Sequence, residues 1–212
     1  FLEEIDKLTE KYPEVNILKA RVQKIDETGE VIQRDRVYEE CISQIDNLFH
    51  QAMPDHMSGI GNYVFKTSAL KAKGGFVDYP LAWWSDVMTN LRLSEKGLAI
   101  TKDILFTMRM SGISISTRKG NLNESRRKAE ATMSCYDDIQ RIIVSHQPLS
   151  KMETEMMHRV NLYFDQWLID DLLISAPAYS VTEAKSIFEK YPSVFTSKLT
   201  RLYFWKSVIF KR

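Results

Sequence analysis

The chain has 212 residues, enough for one large domain or for a domain with an appendage. Its net charge of +1 provides no overall field to attract nucleic acid, so we expect no nucleic-acid partner. The two cysteines, Cys41 and Cys135, have neither metal-binding nor disulfide spacing, and no apolar run reaches the roughly 18 residues of a membrane span. These features predict a cytoplasmic protein.

The first third of the chain predicts a helix followed by a hairpin. Residues 1–12 have helical periodicity, and because this pattern begins at Phe1 without an initiator Met, we expect the chain to be a piece of a longer protein. Residues 16–26 alternate as a strand does, and a turn signal at 26–29 leads into a return strand at Val31. The alternation predicts Leu18, Ala20 and Val22 on one face and Lys19, Arg21 and Gln23 on the other.

The next segments predict further mixed structure. Residues 36–51 have helical spacing, Ile60 to Phe65 reads as a short buried strand, and Ala69 to Pro80 reads as irregular. Ser85 is expected to cap a helix that runs to about Lys96 and ends at Gly97, with two short strands within residues 98–109.

The pattern changes after Gly120. Residues 124–146 and 194–212 have helical spacing, and two Ser-x-x-Glu capping boxes, at Ser150 and Ser180, begin further helices. The sequence therefore predicts two domains: a mixed α/β part at residues 1–120 and an all-helical part at 121–212.

The most specific motif runs from Gly74-Gly75-Phe76 to Trp83-Trp84-Ser85-Asp86. It follows a strand, precedes a helix, and is followed by a second strand with Arg109 near its end. This arrangement resembles family-2 glycosyltransferases of the bacterial type, and the resemblance covers about residues 1–118. It implies an α/β fold: the C-terminal, acceptor-binding half of a GT-A (nucleotide-diphospho-sugar transferase) mixed sheet, followed by a helical extension.

The resemblance implies an inverting sugar transfer from a nucleotide-sugar donor to a hydroxyl of a glycan or lipid-linked acceptor, as in polysaccharide biosynthesis. Asp86 would be the general base. The alternative for Asp86 is a simple helix start. Arg109 would face the donor diphosphate, or else be an exposed strand-end arginine. The expected acceptor-binding residues, of which the tryptophans could instead be core anchors and the glycines an ordinary tight turn, are Gly74, Gly75, Phe76, Trp83, Trp84 and Ser85.

The metal expected of such an enzyme is not predicted to bind to this chain. The family uses an Asp-x-Asp motif, which this sequence lacks, so Mg²⁺ or Mn²⁺ is expected only in a longer enzyme. Ser111 stands where the family often has a histidine, and a hydroxyl is a weaker metal ligand. Four histidines show no ligand spacing and are expected to be surface or structural: His50, His56, His146 and His158.

Residues 193–212 carry five positive charges and no acid, beside several large apolar residues. Such a helix can lie on an anionic bilayer at the inner face of the cell membrane, or it can dock on its own domain. A rival to the enzyme hypothesis is therefore a non-catalytic α+β interaction module with a basic helical tail.

Overall fold

The computed structural model describes residues 1–110 and 120–211. It is a mixed α/β structure, with a curled mixed sheet followed by a helical region. The helices are α1 (Leu2–Lys11), α2 (Gln44–Gln51), α3 (Thr67–Ala72), α4 (Ser85–Leu93), α5 (Leu122–Ser145), α6 (Lys151–Ser175), α7 (Val181–Lys190) and α8 (Lys198–Phe210). The strands are β1 (Ile17–Ile25), β2 (Val31–Arg34), β3 (Cys41–Ile42), β4 (Tyr63–Phe65) and β5 (Leu98–Arg109).

The chain divides into two compact units. Of the described residues, 1–78 and 85–110 form the first unit, and 79–84 with 120–211 form the second. Six residues in the middle of the sequence therefore belong with the helices, which the composition change at residue 120 does not indicate.

The sheet of the first unit is built around β1. This strand pairs with β5 in parallel, and with β2 and β4 antiparallel, while β3 extends the other side of β5. Helix α1 covers one face of the sheet, where Ile5 and Leu8 pack with Val15, Leu18 and Ala99. The opposite face has a second apolar cluster: Ile17, Ile42, Tyr63, Leu93, Leu98 and Ile100.

The alternation places Lys19 on the face of β1 opposite Leu18, Ala20 and Val22, and because β1 is covered on both faces, Lys19 is completely buried. The helix predicted over residues 36–51 is shorter, at Gln44–Gln51, because Ser43 and Asp46 form a capping box at its start. The preceding residues Cys41 and Ile42 instead pair with the start of β5.

Three further boundaries differ from the prediction. Residues 98–109 form one 12-residue strand, since β5 follows β1 over nearly its whole length. Residues 67–72 are helical where the sequence indicated an irregular stretch from Ala69. The regular part of the Ser85 helix ends at Leu93, and a short 3₁₀ turn, Ser94–Lys96, leads to Gly97 at φ 99°.

Among the residues described, the second unit consists of helices joined by turns and has no strand, in agreement with the prediction. Both predicted capping boxes are present, at Ser150 with Glu153 and at Ser180 with Glu183. Helices α5 and α6 pack along buried residues that recur every three or four positions, including Ala129, Cys135, Ile139 and Ile143 on α5 and Val160, Phe164, Leu168 and Leu172 on α6. The predicted final helix begins later than expected, at Lys198, after the buried residues Val194 and Phe195.

Within the ranges that the structure describes, none of the helices combines the length and the apolar character that a membrane span requires.

Candidate functional site

Asp86 is the second residue of α4, and its carboxylate is partly buried. Its Oδ1 accepts a hydrogen bond of 2.8 Å from the backbone N–H of the next residue, Val87. A capping aspartate precedes the first helical residue and accepts from the N–H two or three positions ahead, so Asp86 does not have the geometry of a helix cap.

Burial raises the pKa of Asp86, although hydrogen bonds from the backbone N–H groups of Val87 and of Asp86 itself act in the opposite direction. Among the described residues, no cationic side chain contributes to this balance. A carboxylate that is partly desolvated and has no ion-pair partner is a stronger proton acceptor than a solvated aspartate. The position can therefore accept a proton from a nearby hydroxyl.

Tyr63, on β4, lies within electrostatic range of Asp86. Burial raises the pKa of the Tyr63 phenol, and the carboxylates of Asp35 and Asp86 both add to this effect. The Tyr63 hydroxyl is 3.2 Å from Oγ of Ser58. The carboxylate of Asp86 thus lies within electrostatic range of a buried polar region in the first unit.

That region contains a cluster that the sequence pattern did not reveal. The Nζ of Lys19 lies 2.8 Å from Oδ2 of Asp35 and donates to the Tyr38 hydroxyl at 2.9 Å. The same hydroxyl donates to Oδ1 of Asp35 at 2.6 Å and is 2.7 Å from Nδ1 of His56. Alternating polarity predicts which residues share a face, but it does not indicate that a lysine and an aspartate 16 positions apart meet in the interior.

Protonation in this cluster is set mainly by burial. Burial lowers the pKa of Lys19 to about 8, although the Asp35 carboxylate favours the charged amine. Burial also lowers the pKa of His50 to about 4 and that of His56 well below its ordinary value, with nearby cations adding to both effects. Both histidines are therefore neutral at pH 7, in line with the structural role expected from their spacing.

The segment before Asp86 has unusual backbone geometry. Leu81, Ala82 and Trp84 have φ values of 61°, 54° and 64°, a region that L-residues other than asparagine and aspartate rarely adopt. Each such residue costs on the order of 1 kcal/mol or more, and conformations of this kind concentrate at functional segments.

The two tryptophans of the motif lie in the second unit. The Nε1 of Trp84 donates to Oγ1 of Thr132 at 2.9 Å, and its ring lies 5.7 Å from Phe164 and 5.2 Å from Trp167. Trp83 has the Nζ of Lys128 above its ring at 4.4 Å. All of these contacts of Trp84 are with residues of the helical unit. This is the packing expected if Trp84 is a core anchor.

Gly74 and Gly75 form the turn that follows α3, with φ values of 85° and 92°. A Cβ at either position would have no neighbour within 4 Å, so it is the backbone conformation that requires glycine. Next to them, Phe76 is 52% exposed, and its ring meets Phe65 edge-on at 5.5 Å. Ser85 is buried and its carbonyl accepts a hydrogen bond from the Thr89 hydroxyl.

Arg109 lies at the end of β5, where its Nη1 donates to the carbonyls of Asp26 and Glu27 at 3.0 and 2.8 Å. Arg109 pairs with Ile25 on β1, whereas Tyr63 pairs with Lys19. Those two levels of β1 are six residues apart, or about 20 Å along a strand. The structure places the Arg109 side chain against the turn after β1, and its donor-phosphate role stays a prediction. Ser111 lies outside the described residues.

Within residues 1–110 and 120–211, no three side chains of histidine, cysteine, aspartate or glutamate are grouped so that they could hold a metal ion. Compared with protein-family models, with curated proteins and with solved structures, the chain matches none.

Proposed function

We propose that this chain is the acceptor-binding half of an inverting glycosyltransferase of the GT-A type, and that Asp86 is its general base. The observation that carries the proposal is the Asp86 carboxylate: partly buried, without a cationic partner among the described residues, and with a pKa raised by burial. The reaction class comes from the resemblance of the motif from Gly74 to Asp86 to that of family-2 glycosyltransferases.

In the proposed reaction, Asp86 accepts the proton of an acceptor hydroxyl while the hydroxyl oxygen attacks the anomeric carbon of the donor sugar. The bond from that carbon to the nucleoside diphosphate breaks on the opposite side, so the configuration inverts. Desolvation of the carboxylate favours this step, because proton transfer is most effective when the pKa of the base approaches the working pH.

Two neighbouring features support the proposal. Phe76 offers a half-exposed aromatic ring ten positions before Asp86, on the same unit, and such a ring can pack against the apolar face of a sugar. The left-handed residues Leu81, Ala82 and Trp84 lie two to five positions before Asp86, so the backbone that leads toward the base is held in a costly conformation.

The test uses a longer enzyme that carries a donor-binding half upstream of these residues. Asp86→Asn retains the size of the side chain and an oxygen for the Val87 N–H, but removes the base. We expect transfer to fall by about 10²–10⁴-fold, the usual effect of losing a positioned acid or base. Release of nucleoside diphosphate from a panel of UDP-, GDP- and dTDP-sugars measures transfer, and calorimetry measures donor binding, which should be unchanged.

Asp78→Asn is the matched control, since Asp78 is exposed and lies eight positions earlier. It should change the rate little. Equal rates for the wild type and Asp86→Asn, with donor and acceptor saturating, would refute the assignment.

A further inference from the structure

Helix α8 is docked on the second unit through one of its faces only. Phe204 and Val208 are buried, and the Phe204 ring lies 4.9 Å from that of Phe195. The helix contacts α6, α7 and the 3₁₀ turn Ala176–Ala178. The docked-helix alternative is therefore correct for this face.

The opposite face exposes large apolar side chains instead of the polar ones that a surface helix normally presents to water. Five of them are between 59% and 65% exposed: Leu199, Leu202, Tyr203, Ile209 and Phe210. At 100° per residue, these five positions fall within an arc of about 120°. We call this arc the outer face of α8.

The charges of the described segment 193–211, which includes α8, are all positive. Lys206 lies within the arc and Lys198 at its edge, and both are exposed. Arg201 and Lys211 are the other charged residues of the described segment 193–211, which contains no acid.

We propose that the outer face of α8 docks on an anionic lipid bilayer. The apolar side chains would enter the interface between headgroups and acyl chains, while the lysines extend to lipid phosphates. The proposal does not depend on the transferase activity.

Charge and area favour a bilayer over a second copy of the chain. Two copies meeting through this face would bring lysines together without an acid on the helix to neutralise them. The five side chains expose on the order of 500 Å², less than the roughly 800 Å² per partner of a standard protein interface. A bilayer both supplies negative charge and covers an apolar strip of any size.

The experiment is co-sedimentation of the chain with vesicles of phosphatidylcholine alone or with 30% phosphatidylglycerol, at low and high salt. We expect strong binding to the anionic vesicles at low salt and weaker binding at high salt, because salt screens the lysines. Lys198→Gln with Lys206→Gln should weaken partitioning about tenfold or more, as each lysine near an anionic surface contributes about fivefold.

A second variant removes the apolar contacts: Leu199→Ser, Leu202→Ser and Ile209→Ser. It should lower binding to the level seen with phosphatidylcholine. The matched control is Leu162→Ser with Ile174→Ser on α6, where the side chains are 57% and 62% exposed but lie outside α8. This control should bind as the wild type does.

Two results would overturn the proposal. One is that neither α8 variant binds anionic vesicles less than the wild type. The other is that sedimentation equilibrium without lipid shows a wild-type dimer that the serine variant of α8 converts to a monomer, which would make a second copy the occupant.

Discussion

At the scale of single residues, Asp86 is held where its charge is disfavoured. An aspartate that only starts a helix is stabilised in its charged form by the helix dipole and by backbone N–H groups. At Asp86 the effect of burial is larger than that of its backbone hydrogen bonds, so the pKa rises. Charged Asp86 therefore opposes folding, as is common for groups kept for activity.

Because burial outweighs the backbone hydrogen bonds at Asp86, we predict that Asp86→Asn stabilises the chain at pH 7. The folded-state pKa of Asp86 lies above its unfolded value, so the unfavourable effect of its charge is fully present above the folded pKa and disappears as the pH falls below the unfolded value. The gain in melting temperature should therefore be present at pH 7 and absent near pH 3.

Asp78→Asn, at an exposed position, should leave the melting temperature unchanged both at pH 7 and near pH 3. A lower melting temperature for Asp86→Asn at pH 7 would instead identify Asp86 as a stabilising helix start.

Breaking the pair formed by Lys19 and Asp35 is predicted to change stability more than the substitution at Asp86 does. Both side chains are 0% exposed, so Asp35→Asn leaves the Lys19 amine in the interior without its counter-charge. We expect the free energy of unfolding to fall by about 3–5 kcal/mol in denaturant titrations, the range for breaking a buried pair from one side.

The double variant Lys19→Met with Asp35→Asn should recover part of that loss, because the buried amine without a partner is gone. A loss below about 1 kcal/mol for the single variant would show that the amine reaches water.

At the scale of the elements, local sequence patterns predicted which helices and strands exist better than they predicted where those elements begin and end. The helix α1, the β1–β2 hairpin and the capping boxes at Ser150 and Ser180 follow from short-range chemistry, and the structure confirms them. The helix predicted from residue 36 is wrong before Ser43, because Cys41 and Ile42 pair with β5, more than 50 residues later. The intrinsic helix or strand propensity of a residue carries no information about such long-range strand pairing.

The candidate site shows the same limit. The motif from Gly74 to Asp86 directs attention to Asp86, but the sequence does not indicate that Asp35 and Asp86 both act electrostatically on Tyr63. Nor does it show that Trp84 packs with α6 or that Arg109 binds the turn after β1. Each of these facts depends on residues distant in the chain.

Two glycines with the same backbone conformation allow a matched test of how tightly one of them is packed. Gly97, after the 3₁₀ turn, and Gly29, in the β1–β2 turn, both have φ of 99°, but a Cβ at Gly97 would lie 3.2 Å from the Ile42 carbonyl oxygen, whereas one at Gly29 would meet nothing within 4 Å. Both alanine variants should lose about 1 kcal/mol or more from the backbone conformation alone.

Gly97→Ala should cost measurably more than Gly29→Ala, and chemical denaturation of the two variants compares them directly. Equal losses would mean that the β3–β5 edge yields to admit the methyl group.

At the scale of the whole molecule, the two units are not successive along the chain. Residues 79–84 leave the first unit and belong to the second, and the chain then returns at Ser85. A cut near residue 120 therefore removes the packing partners of Trp84, which are Thr132, Phe164 and Trp167.

The central pairing of the sheet also determines when the first unit can form. Strands β1 and β5 are parallel, and the last residue of β1, Ile25, is 73 positions before the first of β5, Leu98. A ribosome adds about 5–20 residues per second, so β1 waits several seconds without its main partner. Long-range parallel pairing is also slow, since a large loop must close first. During that interval one edge of β1 is open to other chains, and the helix α1 just before it, which packs on Leu18, is the first element able to shield its apolar face.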